Sequence, residues 1–200
     1  MAFWTSVGGN TKDPKRGFRF KVEFNGYNTD GSGVLWFAKK VSKPNFTITE
    51  SKHSFLNHNF YYPGRVEWQE ISLTLVDPIS PGAVAQTNAI IAASGYKIPA
   101  DAQMLETMSK GKTLTATGVI KIIQIDADGK AIETWTLKSP WIKSVKYGEL
   151  AYDSDDLIEV EIGLRYDWAE CEFPQGSGAQ TNVIPNASAL DPNKFFSTSS

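Results

Sequence analysis

The chain has 200 residues, 41% of them hydrophobic and 21% charged, and its formal net charge at pH 7 is −2. Such a composition is typical of a soluble globular protein, and a chain of this length can bury one good core. Proteins that hold nucleic acid by neutralising phosphates usually carry a basic excess. The near-neutral balance therefore argues against tight non-specific binding of DNA or RNA.

Cysteine and histidine are scarce, with one Cys and two His in the whole chain. The lone Cys171 cannot form an intramolecular disulfide or a multi-thiolate metal site, and Glu170 and Glu172 beside it should raise rather than lower its pKa. We therefore expect no metal site, no cofactor and no thiol nucleophile. The N-terminal residues lack a basic stretch followed by an apolar one, and no apolar run is long enough for a membrane span. A protein that folds in a reducing cytoplasm is expected.

Aromatic residues are frequent, with 11 Phe, 7 Tyr and 6 Trp, and they lie mostly among β-branched residues, which favours strands. In residues 18–24, Phe and Val alternate with charged residues, and this period of two predicts a half-buried strand. A second strand is predicted over residues 34–41 and a short third one over residues 46–49.

Residues 50–64 have no clear period and form a connection longer than most in compact domains. We predict a long loop with two open interpretations: a hairpin packed on its own domain, or a projecting arm whose aromatic side chains another subunit covers. The two histidines have no third ligand at a recognised spacing, so we interpret them as polar loop residues. The candidate contact residues are His53, Phe55, Leu56, His58, Phe60, Tyr61 and Tyr62.

Residues 66–76 predict a strand with a bend after Trp68, where the apolar positions change parity. Ser80-Pro81 is a typical helix start and Gly95 a typical helix stop. One helix is therefore predicted over about residues 81–94.

Two β-rich segments, residues 112–126 and 131–137, follow a weaker helical turn predicted over residues 101–109. The sequence Asp126-Ala-Asp-Gly between them is similar to the start of an EF-hand calcium loop. The twelfth position of that loop, however, would be Leu137 instead of Glu, and the flanks are β-rich instead of helical. An Asp-Gly pair between β-rich runs is a strong signal for a hairpin.

Residues 157–168 alternate apolar and polar side chains and predict a strand of fixed register. The carboxylates from Asp153 to Glu161 could perform general acid–base chemistry, but a solvated turn and a polar strand face explain them more simply. Residues 174–200 have few charges and no period, which predicts an extended tail held by neighbouring molecules. We predict one domain over residues 1–173, followed by this tail.

Near the end of the domain, the sequence resembles a known family. Trp141 opens the segment Trp-Ile-Lys-Ser-Val, Gly148-Glu-Leu and Asp153 follow, and the last strand ends in Leu-Arg-Tyr-Asp-Trp168. This order is similar to the C-terminal pattern of tail tube proteins from contractile-tailed (myovirus) bacteriophages, with two additional residues between the Val and the Gly. The stretch from Gly64 through Ile-Ser-Leu-Thr-Leu also resembles the central strand of that family.

The resemblance implies a mainly β fold, an antiparallel β-sandwich or barrel with one packed helix, whose protomers join their strands into a continuous tube barrel. Members of this family form six-membered rings that stack into a tube inside a contractile sheath. The implied role is structural and not enzymatic, with tail sheath, tape measure, baseplate and tail terminator proteins as partners. DNA would pass through the tube without specific binding. The implied location is the tail of a virion assembled in the cytoplasm of a host bacterium.

Four strands from each of six subunits would close a barrel of 24 strands, about 52 Å across at the backbone and roughly 40 Å inside. The resemblance further implies that the loop at residues 50–64 reaches the neighbouring ring. Possible lumen-lining residues are Glu159, Glu161 and Arg165, and an outward orientation of these side chains is equally compatible with the pattern.

Two other functions remain open at this point. One is the inner tube of a non-viral contractile injection or secretion machine, which would share the architecture. The other is a carbohydrate-binding or hydrolytic β-domain that uses the carboxylates of residues 153–161, although no recognised catalytic motif accompanies them.

Overall fold

The computed structural model describes residues 14–27, 33–80, 82–100, 105–153 and 155–174, together with the backbone of residues 194–195. The described residues form eleven strands and two helices. The strands are β1 (Phe20–Phe24), β2 (Ala38–Val41), β3 (Phe46–Phe55), β4 (His58–Trp68), β5 (Ile71–Val76), β6 (Ile120–Ile125), β7 (Ala131–Lys138), β8 (Trp141–Lys146), β9 (Glu159–Arg165), β10 (Trp168–Glu172) and β11 (Lys194–Phe195), and the helices are α1 (Ala83–Ala93) and α2 (Lys110–Thr117).

Two antiparallel sheets pack face to face around one core, as predicted for a mainly β protein. The five-stranded sheet has the order β1-β6-β7-β10-β11, and the four-stranded sheet has the order β2-β5-β9-β8. Both sheets contribute side chains to the core, among them Val22, Ile120 and Leu137 from the first and Leu73, Leu75 and Ile162 from the second. Strands β3 and β4 pair only with each other and stand apart from both sheets.

Strand β9 is one of the two interior strands of the four-stranded sheet, with β5 on one side and β8 on the other. Its apolar face is buried as predicted, since Val160 and Ile162 are fully buried and Leu164 is 1% exposed. The predicted strand over residues 157–168 is too long, however. The chain leaves this sheet after Arg165 and begins β10 in the other sheet at Trp168, so one sequence pattern covers two strands.

Helix α1 lies within the predicted helix, but it begins later than predicted. Its N-cap is Gly82 instead of Ser80, and the Oδ1 of Asp77 accepts hydrogen bonds from the first backbone N–H groups, 2.7 Å from the N of Ala83. The residues that face the core are Ala83, Thr87 and Ile90. An aspartate six residues before the first helical residue supplies the cap, and local sequence spacing does not reveal it.

Helix α2 was not predicted, and it overturns the first half of the strand expected over residues 112–126. Ser109 caps it by accepting a hydrogen bond from the N–H of Lys112, and Gly118, with φ of +67°, ends it. Its threonines favour strands by intrinsic propensity. Thr113 and Thr117 are buried, however, and their packing against the rest of the domain favours the helix. Of residues 105–109, which lie in the predicted helical turn, none is helical.

Other strand bounds also shift. Phe18 is 76% exposed and precedes β1, and Val34 makes only an isolated bridge to Glu23 before β2 begins. The strand predicted over residues 66–76 is divided into the end of β4 and the whole of β5. Strand β8 was not predicted as a separate element.

The predicted hairpin between β6 and β7 is confirmed. The N–H of Asp126 donates to the carbonyl of Lys130 at 2.9 Å, and Gly129 adopts a φ of +78° within the turn. The turn spans more than the Asp-Gly pair, because the ladder shifts register after Gln124.

Most of the predicted C-terminal tail, residues 175–193 and 196–200, lies outside the described residues. Two of its described residues, 194 and 195, pair with Glu172 and Cys171 and form the edge strand β11. At this point the tail therefore contacts the sheet of its own domain.

A buried carboxylate ties three segments of the domain together. Glu133 on β7 accepts hydrogen bonds from Lys15, from Lys43 at 2.6 Å and from the indole N–H of Trp135 at 2.5 Å. Its side chain is 8% exposed. Burial raises the pKa of Glu133, but the three hydrogen bonds together outweigh burial and lower it to about 2.

We predict that Glu133→Gln lowers the free energy of unfolding by about 2–3 kcal/mol at pH 7, because two lysines then lose their shared carboxylate. A carboxyl whose pKa is lowered by folding stabilises the protein above its ordinary pKa, and this contribution fades as the pH falls toward 2. Urea denaturation at pH 7 and pH 3 should therefore give a smaller difference between variant and wild type at pH 3. An equal difference at both pH values would contradict this assignment, and Glu67→Gln, on the exposed hairpin, serves as the control.

Candidate assembly surfaces

The segment at residues 50–64 is not an irregular loop but part of a long β-hairpin formed by β3 and β4. Every residue from 46 to 67 is exposed, so the hairpin does not pack on its own domain. The interpretation as an excursion packed on its own domain is therefore wrong for the described structure, and the covering of this arm by another subunit stays a prediction. Aromatic and polar residues do alternate along β3 and β4, but the turn and a bulge interrupt this alternation, so the sequence pattern does not predict the hairpin.

The outer part of the hairpin has one aromatic and one mostly polar face. His53 lies opposite Phe60, and Phe55 lies opposite His58, so these four side chains share a face that also carries Tyr62. The rings of His58 and Phe60 are 4.9 Å apart and nearly perpendicular. The opposite face carries the remaining residues of the two strands, Glu50, Lys52, Ser54, Asn59, Tyr61 and Pro63. All seven contact residues predicted from the sequence lie on this hairpin, and Tyr61 lies on the more polar face.

The turn at the tip of the hairpin presents an apolar side chain to solvent. Leu56 has a φ of +52°, a conformation that costs a branched residue energy, and its side chain is 88% exposed. Neither Gly nor a typical turn pair marks this position, which is why the sequence pattern does not predict the turn.

A bulge divides the hairpin into an outer and an inner part. The register shifts between Ile48 and Glu50, where the Oγ1 of Thr49 accepts a hydrogen bond from the N–H of Arg65 at 2.8 Å. A Cβ on Gly64 would lie 2.4 Å from that oxygen, so only glycine fits opposite the bulge.

The root of the hairpin is fixed by an aromatic stack. Phe46 and Trp68 are paired residues with rings 5.1 Å apart, and the ring of Trp68 lies 5.9 Å from that of Tyr166 beyond β9. The N–H of Gln69 donates to the carbonyl of Asn45 at 2.9 Å. The stack therefore couples the projecting hairpin to the core sheet. The sequence pattern predicts strands for both Trp68 and Tyr166 but does not indicate that their rings are in contact.

A second candidate surface is the pair of open edges of the four-stranded sheet. Strand β2 pairs only with β5, and β8 pairs only with β9, so among the described residues each has one edge without a strand partner. Because all three pairings are antiparallel, β2 and β8 run in opposite directions. A β8 edge could therefore join the β2 edge of another copy and continue the antiparallel pattern.

The outer face of the same sheet carries the predicted lumen-lining residues. Glu159, Glu161 and Arg165 all lie on the face of β9 that points away from the core. Lys39 pairs with Glu159, and Lys146 pairs with Glu161 at 2.8 Å. Hydrogen bonds from Lys146 and Ser72 lower the pKa of Glu161, which therefore stays ionised.

The residues considered for metal binding, thiol chemistry or acid–base chemistry are not brought together in a site within the described part of the chain. Among the described residues, no group of three or more His, Cys, Asp or Glu side chains is placed to hold a metal ion. Cys171 is buried, and burial raises the pKa of its thiol to about 11. The turn residues Asp153, Asp155 and Asp156 are exposed. Within the described part of the chain, no helix is long and apolar enough to cross a membrane.

Comparison with known proteins relates the chain to contractile injection machines through its fold alone. No family model and no curated protein matches the sequence. A solved chain of the tube-terminating cap of the anti-feeding prophage is 20% identical, with a TM-score of 0.58 over 86% of this chain and 99% of that one. A chain in the sheath/tube terminator of PVC, an extracellular contractile injection system, is 17% identical, with a TM-score of 0.59 over 80% and 98%. A chain in the anti-feeding prophage baseplate is 16% identical, with a TM-score of 0.58 over 80% and 97%.

We predict that Trp68→Ala loosens the hairpin without unfolding the sandwich, because it removes the central ring of the stack at the root. Tryptic cleavage after the exposed Lys52 in unassembled protein should become about five-fold faster, since a lost aromatic contact is worth on the order of 1 kcal/mol. Tyr62→Ala is the control, because this ring lies far from the root. Equal acceleration in both variants would show that the stack does not hold the hairpin.

Proposed function

We propose that this chain is the subunit of the inner tube of a contractile-tailed bacteriophage. Six copies join into a ring, the rings stack into a tube, and the tube conducts DNA into a host bacterium. The observation that carries this proposal is the four-stranded sheet with two open, oppositely directed edges. Six such sheets closed edge to edge give 24 strands and a lumen of roughly 40 Å, which is wide enough for a DNA duplex.

The hairpin supports stacking of the rings. It exposes Phe55, Leu56 and Phe60 on an arm that its own domain does not cover. Exposed aromatic clusters of this kind are typical of surfaces that become buried in an assembly. We propose that the arm docks on the neighbouring ring, and that the partners beyond the tube are the sheath, tape measure, baseplate and terminator proteins of a virion tail. The particle would be assembled in the bacterial cytoplasm.

The proposed role is structural, without catalysis. Glu159 and Glu161 are held in ion pairs on the polar face of β9. We infer that the acidic residues of positions 153–161 serve surface charge and assembly instead of hydrolysis. A glycosidase or lectin activity that Asp153→Asn together with Glu159→Gln abolishes would favour the enzymatic or carbohydrate-binding alternative.

A non-viral contractile injection system is the second candidate. It is favoured by the solved structures of similar fold, which come from the anti-feeding prophage and from an extracellular contractile injection system. The two candidate functions imply the same tube architecture, and the neighbouring genes distinguish them. Capsid and terminase genes nearby would indicate a virus, and their absence beside sheath and baseplate genes would indicate an injection system.

We predict that the purified protein forms rings and tubes at high concentration, visible by negative-stain electron microscopy and recovered by sedimentation. Phe60→Asp should reduce the sedimenting fraction at least about ten-fold, because it places an unpaired carboxylate in an apolar contact. Rings should persist, since the substitution lies on the arm and not at the sheet edges.

Asn59→Asp is the matched control for this experiment. It adds the same charge at the adjacent position on the opposite face of the hairpin, where Asn59 already accepts a hydrogen bond from Ser54 at 2.7 Å. This variant should polymerise like the wild type. Monomers alone at every concentration of wild-type protein would refute the tube, whereas normal tubes from Phe60→Asp would refute only the role of the arm.

A further inference from the structure

The edge of β2 carries a lysine-rich cleft of about 310 Å³ between the two sheets. Its floor is apolar, with Phe20, Ile122 and Trp135 among the lining residues, and its rim includes Lys39, Lys40 and Lys43. Lys39 is neutralised by Glu159, while Lys15 and Lys43 share the single carboxylate of Glu133. Among the described residues Lys40 forms no ion pair, and the carboxylate whose charge it feels, Glu161, is bound to Lys146. The lysines beside the cleft therefore outnumber the carboxylates that pair with them.

The opposite edge of the sheet leads into an acidic segment with exposed apolar side chains, residues 147–153. It leaves the sheet at Gly148, whose φ is +79° and where a Cβ would lie 2.8 Å from the carbonyl oxygen of Glu159. Leu150 is 86% exposed and Tyr152 is fully exposed. Its two carboxylates, at positions 149 and 153, are exposed and make no ion pair within the described part of the chain.

We propose that residues 147–153 of one copy dock in the lysine-rimmed cleft beside β2 of the next copy around the ring. The inference rests on the proposed function, since it requires the β8 edge of one subunit to meet the β2 edge of another. It adds the contact that makes this junction specific. Glu149 and Asp153 meet the excess positive charge, while Leu150 and Tyr152 cover the apolar floor.

Residues 147–153 are all exposed, so they do not occupy the cleft of their own copy, and the proposed contact joins two copies. Strands β2 and β8 are separated by β5 and β9, so the two edges of one sheet lie about 14 Å apart. The lysines of β8 do not oppose the docking, because Lys143 pairs with Glu70 and Lys146 pairs with Glu161. The free charge at the β8 edge is therefore that of the acidic segment, and the free charge at the β2 edge is positive. Complementary charges at the two ends of one repeating unit favour head-to-tail association.

Charge reversal tests the pairing in full-length protein. Lys40→Glu and Asp153→Lys should each raise the concentration needed for ring formation about five- to ten-fold, as measured by sedimentation velocity. The double variant should recover most of the loss, because it restores opposite charges across the junction. Lys130→Glu and Asp128→Lys, both in the exposed β6–β7 turn, are matched controls that should leave assembly unchanged. Circular dichroism melting checks that every variant is folded.

Cross-linking tests the proximity independently of energetics. Lys40→Cys and Tyr152→Cys are combined in one chain and treated with a flexible bis-maleimide, since the native Cys171 is buried and unreactive. The double variant should give a ladder that ends in a closed ring, whereas a mixture of the two single variants should give dimers only.

The outcomes separate this inference from the proposed function. Rings of wild-type protein without the ladder, or a charge swap that fails to restore assembly, would overturn the docking of residues 147–153 while the tube stands. Absence of rings from wild-type protein would overturn both proposals together.

Discussion

The alternation of β9 is the constraint on which the rest of the structure depends. Val160, Ile162 and Leu164 are buried between the sheets, and a slip of one residue would turn all of them to solvent. Their burial fixes the register with β5 and β8, and it also fixes which side chains point outward. The positions of Glu159, Glu161 and Arg165 on the outer face are therefore consequences of core packing. The same packing places β2 and β8 at the two edges, so the surfaces available for assembly follow from the hydrophobic pattern of one interior strand.

On its own, the described part of the chain has sheet edges without a strand partner and exposed aromatic side chains. Edge strands with free backbone groups promote association, and natural proteins usually shorten, charge or cover them. Here the hairpin adds an uncovered aromatic face, while the edge at β10 receives the short strand β11. Among the described strands, the open edges of one sheet are thus left available while an edge of the other is partly covered. In the proposed ring, this difference between the sheets would favour association through the four-stranded sheet, since association through the other sheet would compete with closure.

The sequence predicted those parts of the molecule in which local pattern and tertiary environment agree. Alternation of apolar and polar residues predicted the burial of β9. The Asp-Gly pair predicted the β6–β7 turn, and Gly95 predicted the end of α1. The hairpin was predicted as a loop because Leu56 occupies a turn position without glycine and because the bulge at Thr49 shifts the parity of one strand. Helix α2 was missed because its threonines favour strands, and the local sequence does not show how Thr113 and Thr117 pack.

Of the candidate site, the sequence predicted the aromatic residues. Which of them share a face of the hairpin depends on the pairing of β3 with β4, and the sequence alone does not give that pairing. The stack of Phe46, Trp68 and Tyr166 joins residues far apart in the chain, and no local spacing indicates it.

Whether DNA could slide past this protein depends less on its near-neutral net charge than on how the charges on one face of the sheet are paired. The outer face of the four-stranded sheet carries both signs, and its carboxylates Glu159 and Glu161 are each bound to a lysine of another strand of the sheet, Lys39 on β2 and Lys146 on β8. A phosphate that passed such a surface would have to displace a carboxylate before it could bind a paired lysine, and this competition weakens the grip of each lysine. In the proposed tube, the property that lets a polyanion slide is therefore the binding of Lys39 and Lys146 to carboxylates of the same sheet. Arg165, which lies on the same face and forms no ion pair among the described residues, is then the position at which sixfold repetition would place a ring of free positive charge.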